Sequence, residues 1–168
     1  MRSFLFLPAL ALLALALPAA AVDLPQLPKP PAVGGTSLLD TVNKKLANQQ
    51  IKDGQFEFKT GRAEFAEGNE KRINGLLKII TDNSNALKAV VPNLYVTAEG
   101  HTDSDGSVER NQMLSLARAK TVCAALKAKG MQLNCKPIGV GSSKPLVSPE
   151  KTSADKQKNR RVLVQMAK

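Results

Sequence analysis

One histidine, two cysteines and far fewer acidic than basic residues set the first limits on what this sequence can do. A nucleophilic serine or cysteine needs a base within reach, and a zinc ion ordinarily takes three or four protein ligands. The only histidine is His101, and with Asp103 and Asp105 it supplies neither arrangement. It is expected to be a hydrogen-bonded support for its own loop. No catalytic residue, metal or cofactor is expected, and the reading is not an enzyme. Long apolar runs are missing after the first 21 residues, and so are the repeated ten-residue alternating segments of a membrane barrel. Only 14 acidic residues stand against 24 basic ones, a formal charge of +10.

What is present begins with a leader. Arg2 precedes an apolar stretch from Phe4 to Leu17, broken only by Pro8, and Pro18-Ala19-Ala20-Ala21 follows. A short apolar run ending in small residues reads as a secretory signal peptide over residues 1–21, cleaved after Ala21. It falls short of the ~20 residues that span a bilayer. No cysteine lies beside the cleavage site to accept a lipid. Without Arg2 the charge is +9, and a basic exported surface suits an anionic polymer or lipopolysaccharide. Export removes nucleic acid from the expected partners. In an oxidising compartment an even number of cysteines favours a disulfide, here Cys123 with Cys135.

Residues 22–50 read as a spacer. Leu24-Pro25-Gln26-Leu27-Pro28-Lys29-Pro30-Pro31 is proline-rich and extended, and Gly34-Gly35-Thr36-Ser37 follows it. Leu38, Leu39, Val42 and Leu46 then fall at the spacing of a short amphipathic helix. The expected domain runs from 51 to 168. Phe56 and Phe58 alternate about Glu57 as in a half-buried strand, and Ile73, Leu76, Leu77 and Ile80 form the stripe of a helix reaching about Leu87. Leu94 to Ala98 reads as a central strand. Asp105-Gly106-Ser107 makes a turn that caps a helix with Leu116, Ala119, Val122, Cys123 and Leu126 on one stripe, stopped at Gly130. Further strands are expected within 132–140 and 162–166. Strands alternating with helices imply an α+β fold, a mixed sheet with helices packed on one face.

Between the central strand and that helix lies Gly100-His101-Thr102-Asp103, with Arg118 fifteen residues beyond the aspartate. A carboxylate in a loop and a guanidinium on the next helix can face one ligand carrying both an ammonium and a carboxylate, a zwitterion. With Gly106, Asn111, Leu114-Ser115, Arg118-Ala119, Val122, Leu126, Gly130, Gly139-Val140-Gly141, Pro145 and the closing Asn159-Arg160-Arg161-Val162, the stretch resembles the OmpA-like C-terminal peptidoglycan-binding family over roughly residues 54–168. The resemblance implies a βαβαβ layout with a further strand. It also implies non-catalytic binding of the diaminopimelate side chain of the peptidoglycan stem peptide, anchoring the protein or its assembly to the cell wall. By the same resemblance Asp103 would take the ligand's ammonium and Arg118 its carboxylate. Asn111 would shape the pocket, Arg161 would border the ligand, and Thr102 is counted with them among the ligand-binding residues. Two features depart from the family pattern. Arg110 stands where a tyrosine usually precedes the asparagine, and the segment between Gly130 and Gly141 is one residue short. The expected location is the periplasm, at the cell wall or outer membrane. The alternative is an exported adaptor that keeps the fold but binds an envelope protein or lipopolysaccharide through its basic surface.

Overall fold

A computed structural model describes residues 35–168, so the expected signal peptide and the proline-rich part of the spacer lie outside the described residues. Helix α1 (Gly35–Asp53) and helix α2 (Glu70–Val90) precede strand β1 (Tyr95–Gly100). Helix α3 (Val108–Ala128), strand β2 (Cys135–Gly139), helix α4 (Ser153–Asn159) and strand β3 (Val162–Ala167) complete the chain. The strands form one mixed sheet in the order β2-β1-β3. β1 runs parallel to β2, with Val96 opposite Cys135, and antiparallel to β3, with Val96 opposite Met166. The fold is the expected α+β class, with β1 at the centre. β2 is an edge strand and so tolerates Pro137, which has no N–H to give to a ladder.

The apolar stripes meet in one core. Leu39, Val42 and Leu46 of α1 are buried with Ile73, Leu76, Ile80 and Leu87 of α2, Val96 and Ala98 of β1, Val122 and Leu126 of α3, and Val162, Val164 and Met166 of β3. Burying each larger aliphatic side chain contributes roughly 1.5–3 kcal/mol. The short helix expected within the spacer is therefore a 19-residue element of the domain core, and the boundary expected at 51 falls inside it.

α1 also changes the sheet. Its Asn43 and Gln50, two turns apart, carry side-chain amides that copy a neighbouring strand. Asn43 accepts from Met166 N at 2.8 Å and donates to Met166 O at 2.9 Å. Gln50 accepts from Val164 N at 2.8 Å and donates to Val164 O at 3.0 Å. These four bonds occupy the outer edge of β3, where an unpaired ladder would otherwise invite association. Phe56 and Phe58, expected in a strand, make no sheet pairing. Phe58 forms one isolated bridge with Phe65, inside a loop closed by the stacked rings of Phe56, Phe58 and Phe65. The alternation is real, with Phe56 buried and Glu57 exposed. Asn69 fixes this loop by accepting from Glu57 N and donating to Glu57 O and Ala66 O.

α3 crosses directly over β1 and β2, and Gly130 turns the chain back at φ +101°. Cys123 and Cys135, twelve residues apart, are joined by a disulfide that ties α3 to β2. Closing a loop of this length stabilises the fold by roughly 2–3 kcal/mol. Paired replacement by alanine should lower the unfolding free energy from urea titration by that amount and move the midpoint down accordingly, and reductant should shift only the parent protein. Equal midpoints would show that the cross-link adds nothing. The segment before β3 forms α4, started by a reciprocal cap between Thr152 and Asp155. Among the described residues no helix is long and apolar enough to cross a membrane.

Candidate functional site

The loop leaving β1 is held on both sides before any functional side chain appears. His101 N donates to Arg161 O at 2.8 Å, Thr102 N to Gly141 O at 2.9 Å, and Val140 N to Gly100 O at 3.0 Å. The ladder is thus carried past the end of the strand, and Asp103 leaves it from a fixed point. Asp105 N approaches Asp103 Oδ1 at 3.4 Å, Gly106 turns at φ +91°, and Ser107 caps α3 by accepting from Arg110 N at 3.2 Å. Asn111, buried in the first turn of α3, supports this turn from below by donating to Asp105 O at 2.9 Å. Ser104 is tied to Glu150 through its N–H and its hydroxyl.

Asp103 and Arg118 are both buried, 9% and 5% exposed, and they line one cavity of about 450 Å³. That volume lies in the ~300–1,000 Å³ range of small-molecule sites. Thr102 and Asn111 line it too, as do Phe58, Asp105, Arg110 and Arg160. The structure therefore brings four of the five expected site residues together. Arg161 is the exception. Its buried guanidinium donates to Lys144 O at 3.1 Å and Asn159 O at 3.3 Å, and it borders a smaller adjoining cavity of about 180 Å³ and not the one holding Asp103.

Its neighbour takes the expected place. Arg160 Nη1 lies 2.6 Å from Asp103 Oδ2, and its other terminal nitrogen bonds Gln157. The motif contains both arginines, and strand alternation cannot choose between them because both precede β3. The choice is made by α4, which ends at buried Asn159. The Asn159 carboxamide accepts from Leu146 N and Val147 N, turning Arg160 toward the β1 loop.

Asp103 and Arg118 make no bond with each other. Arg118 Nε donates to Arg62 O at 3.1 Å, and its guanidinium carbon sits 5.0 Å from the centre of the Phe58 ring. Stacking on an aromatic face fixes the plane of the fork. Burial first, then the charge of Arg160, pushes the Arg118 guanidinium below its ordinary pKa, while Asp103 opposes them. Among the described residues its two terminal nitrogens have no hydrogen-bond partner, so they remain available within the cavity. Asp105 is already matched, with Lys156 Nζ 2.6 Å from its Oδ1.

His101 takes no part. It is 1% exposed, it does not line the cavity, and neither ring nitrogen has a hydrogen-bond partner. Nε2 lies 3.3 Å from Glu99 Oε1 without hydrogen-bond alignment, and the ring is packed in the interior beneath its own loop. Among the described residues no group of three or more His, Cys, Asp or Glu is placed to hold a metal ion.

The OmpA family model matches residues 57–160, well over half of the chain. The chain belongs to the OmpA family. The matched span contains the β1 loop, α3 and Asn159-Arg160. Among solved structures, a putative MotB-like protein from Desulfovibrio vulgaris is similar, with a TM-score of 0.56 at 15% identity over 80% of this chain and 94% of that one. The peptidoglycan-associated lipoprotein of Burkholderia pseudomallei gives a TM-score of 0.51 at 20% identity, over 70% of this chain and 92% of that one. The C-terminal domain of Helicobacter pylori MotB gives 0.55 at 20% identity, over 68% and 84%. These likenesses establish the shared fold. No curated protein matches the chain.

Proposed function

We propose that this OmpA-family domain binds peptidoglycan in the periplasm, without catalysis, by holding the free end of diaminopimelate in an uncrosslinked stem peptide. One observation carries the reading: a buried carboxylate and a buried guanidinium, from a loop and from α3, line one cavity without neutralising each other. Family membership and the similarity to a peptidoglycan-associated lipoprotein support the polymer as the target. Arg118 offers its two unengaged nitrogens to the ligand's carboxylate as a planar fork, which lysine cannot reproduce. Asp103 accepts from the ammonium and shares its charge with Arg160. The nearby backbone of Thr102 and the Asn111 amide hold the loop in place.

Sedimentation with purified cell-wall sacculi tests this. Each charge-assisted contact contributes on the order of 1.5–3 kcal/mol, so Asp103→Asn or Arg118→Lys should weaken binding roughly ten- to hundredfold. Circular dichroism should show the fold intact in both variants. Binding that both substitutions leave unchanged, and that added salt abolishes, would instead assign attachment to the basic surface of an adaptor. Release of soluble fragments from labelled sacculi would contradict the non-catalytic reading.

A further inference from the structure

The charges around the cavity do not balance for a ligand with a single acid group. Two carboxylates and three guanidiniums line it, and each carboxylate is already matched, Asp103 by Arg160 and Asp105 by Lys156 reaching in from α4. Arg110 and Arg118 are left over. Arg118 is the buried one. Arg110, in the first turn of α3, is exposed at the mouth, and among the described residues its guanidinium has no ionic partner. Its arm runs between two positions without side chains. Cδ lies 3.8 Å from where a Cβ on Gly106 would stand, and Nη2 lies 3.8 Å from where one on Gly61 would stand. The guanidinium is therefore presented across the opening between the two loops. Two unmatched guanidiniums at different depths suit two carboxylates, and one ammonium beside Asp103 completes the set.

We infer that Arg110 is a specificity-determining residue that pairs with a second free carboxylate on the stem peptide, beyond the one held by Arg118. This rests on the diaminopimelate reading and deepens it, since it makes the preferred ligand an acid-rich stem over its amidated form. Two positions can supply the group: the α-carboxylate of the γ-linked glutamate before diaminopimelate, and the main-chain carboxylate of diaminopimelate itself. Both are carboxylates within one residue of the zwitterionic end. Amidation of either removes the charge and leaves the shape nearly unchanged.

The test is titration calorimetry with the tripeptide L-Ala-γ-D-Glu-meso-diaminopimelate in three forms: both acids free, glutamate α-amide, and diaminopimelate main-chain amide. An exposed ion pair contributes modestly, so amidation at the recognised position should weaken binding to the parent protein roughly three- to fivefold. Arg110→Gln should bind the free acid as weakly as the parent binds that amide, and should no longer distinguish the two. The amide to which only the parent is sensitive identifies the carboxylate. A parent protein indifferent to both amidations overturns the inference, as does Arg110→Gln retaining the parent's preference. If in those cases Arg118→Lys still weakens binding roughly ten- to hundredfold, the diaminopimelate reading stands alone. If no form of the tripeptide binds the parent protein, both fall together.

Discussion

Replacing Gly100 by alanine is expected to destabilise the domain by about 3 kcal/mol or more, among the larger effects of a single methyl group. The reason lies in how closely α3 is laid on the sheet. A Cβ at Gly100 would stand 2.1 Å from the carbonyl oxygen of Ser115 and 2.8 Å from its carbonyl carbon. Both are backbone atoms of a helix, so no side chain can swing aside. α3 would have to lift, and Ser115 is the residue that fastens it. The fully buried Ser115 hydroxyl donates to Gln112 O and accepts from Gly141 N, both at 2.9 Å. Gly139 repeats the contact on β2, where a Cβ would meet Leu116 N at 2.6 Å. Gly130 provides the comparison. A Cβ there meets nothing within 4 Å, so Gly130→Ala should cost only about 1 kcal/mol, from its positive φ. Urea midpoints would separate the cases. If Gly100→Ala and Gly130→Ala unfolded together, the close helix-to-sheet contact would be wrong. The functional link is direct, because Gly100 opens the loop that carries Asp103 and Ser115 lies one turn before Arg118 on α3.

The same closeness explains why much of the site was readable in the sequence. Gly100, Asp103, Asn111, Ser115 and Arg118 must occur in fixed order if a helix is to cross a strand at contact distance and still hold a turn open at its start. The apolar stripes likewise located α2, β1, α3 and β3, because burial in one core imposes the period of each element. What escaped depends on partners far along the chain. Asn43 and Gln50 look like solvent-facing residues of an amphipathic helix. Their role as false neighbours of β3 exists only once the strand is there, more than a hundred residues later. The alternation at Phe56 and Phe58 joins no ladder; the two rings gather with Phe65 instead, and Arg118 lies over Phe58. Arg160 escaped for a related reason. Which of two adjacent arginines faces the cavity is decided by the Asn159 carboxamide and its bonds to residues 146 and 147.

Acidification is the second large effect expected, and it should act through His101. Burial first, and then the Arg161 guanidinium, hold this imidazole at a pKa of about 4, below its ordinary 6.5, with the Glu99 carboxylate opposing them. In the unfolded chain the ring returns to about 6.5. Between those values the unfolded state binds more protons than the folded one, so stability rises with pH there and is lost as pH falls from 6.5 toward 4. At 1.36 kcal/mol per pKa unit, the full window corresponds to about 3 kcal/mol. The charged groups facing the ring are Arg161, Lys144 and Glu99, and Glu99 is shared with Lys144 Nζ at 3.2 Å. Carboxylates whose pKa hydrogen bonds lower in the folded protein, Glu150 and Asp155 among them, also lose stabilisation in acid, so the parent protein alone cannot isolate the effect. His101→Gln can, because it keeps a polar side chain of similar reach that does not titrate. Urea unfolding of both proteins at pH 7, 6, 5 and 4 should show the parent losing about 3 kcal/mol more than His101→Gln as pH falls, whichever protein is more stable at pH 7. Parallel curves would mean that His101 titrates as freely in the folded protein as outside it, and that the end of β1 admits water beneath the Asp103 loop.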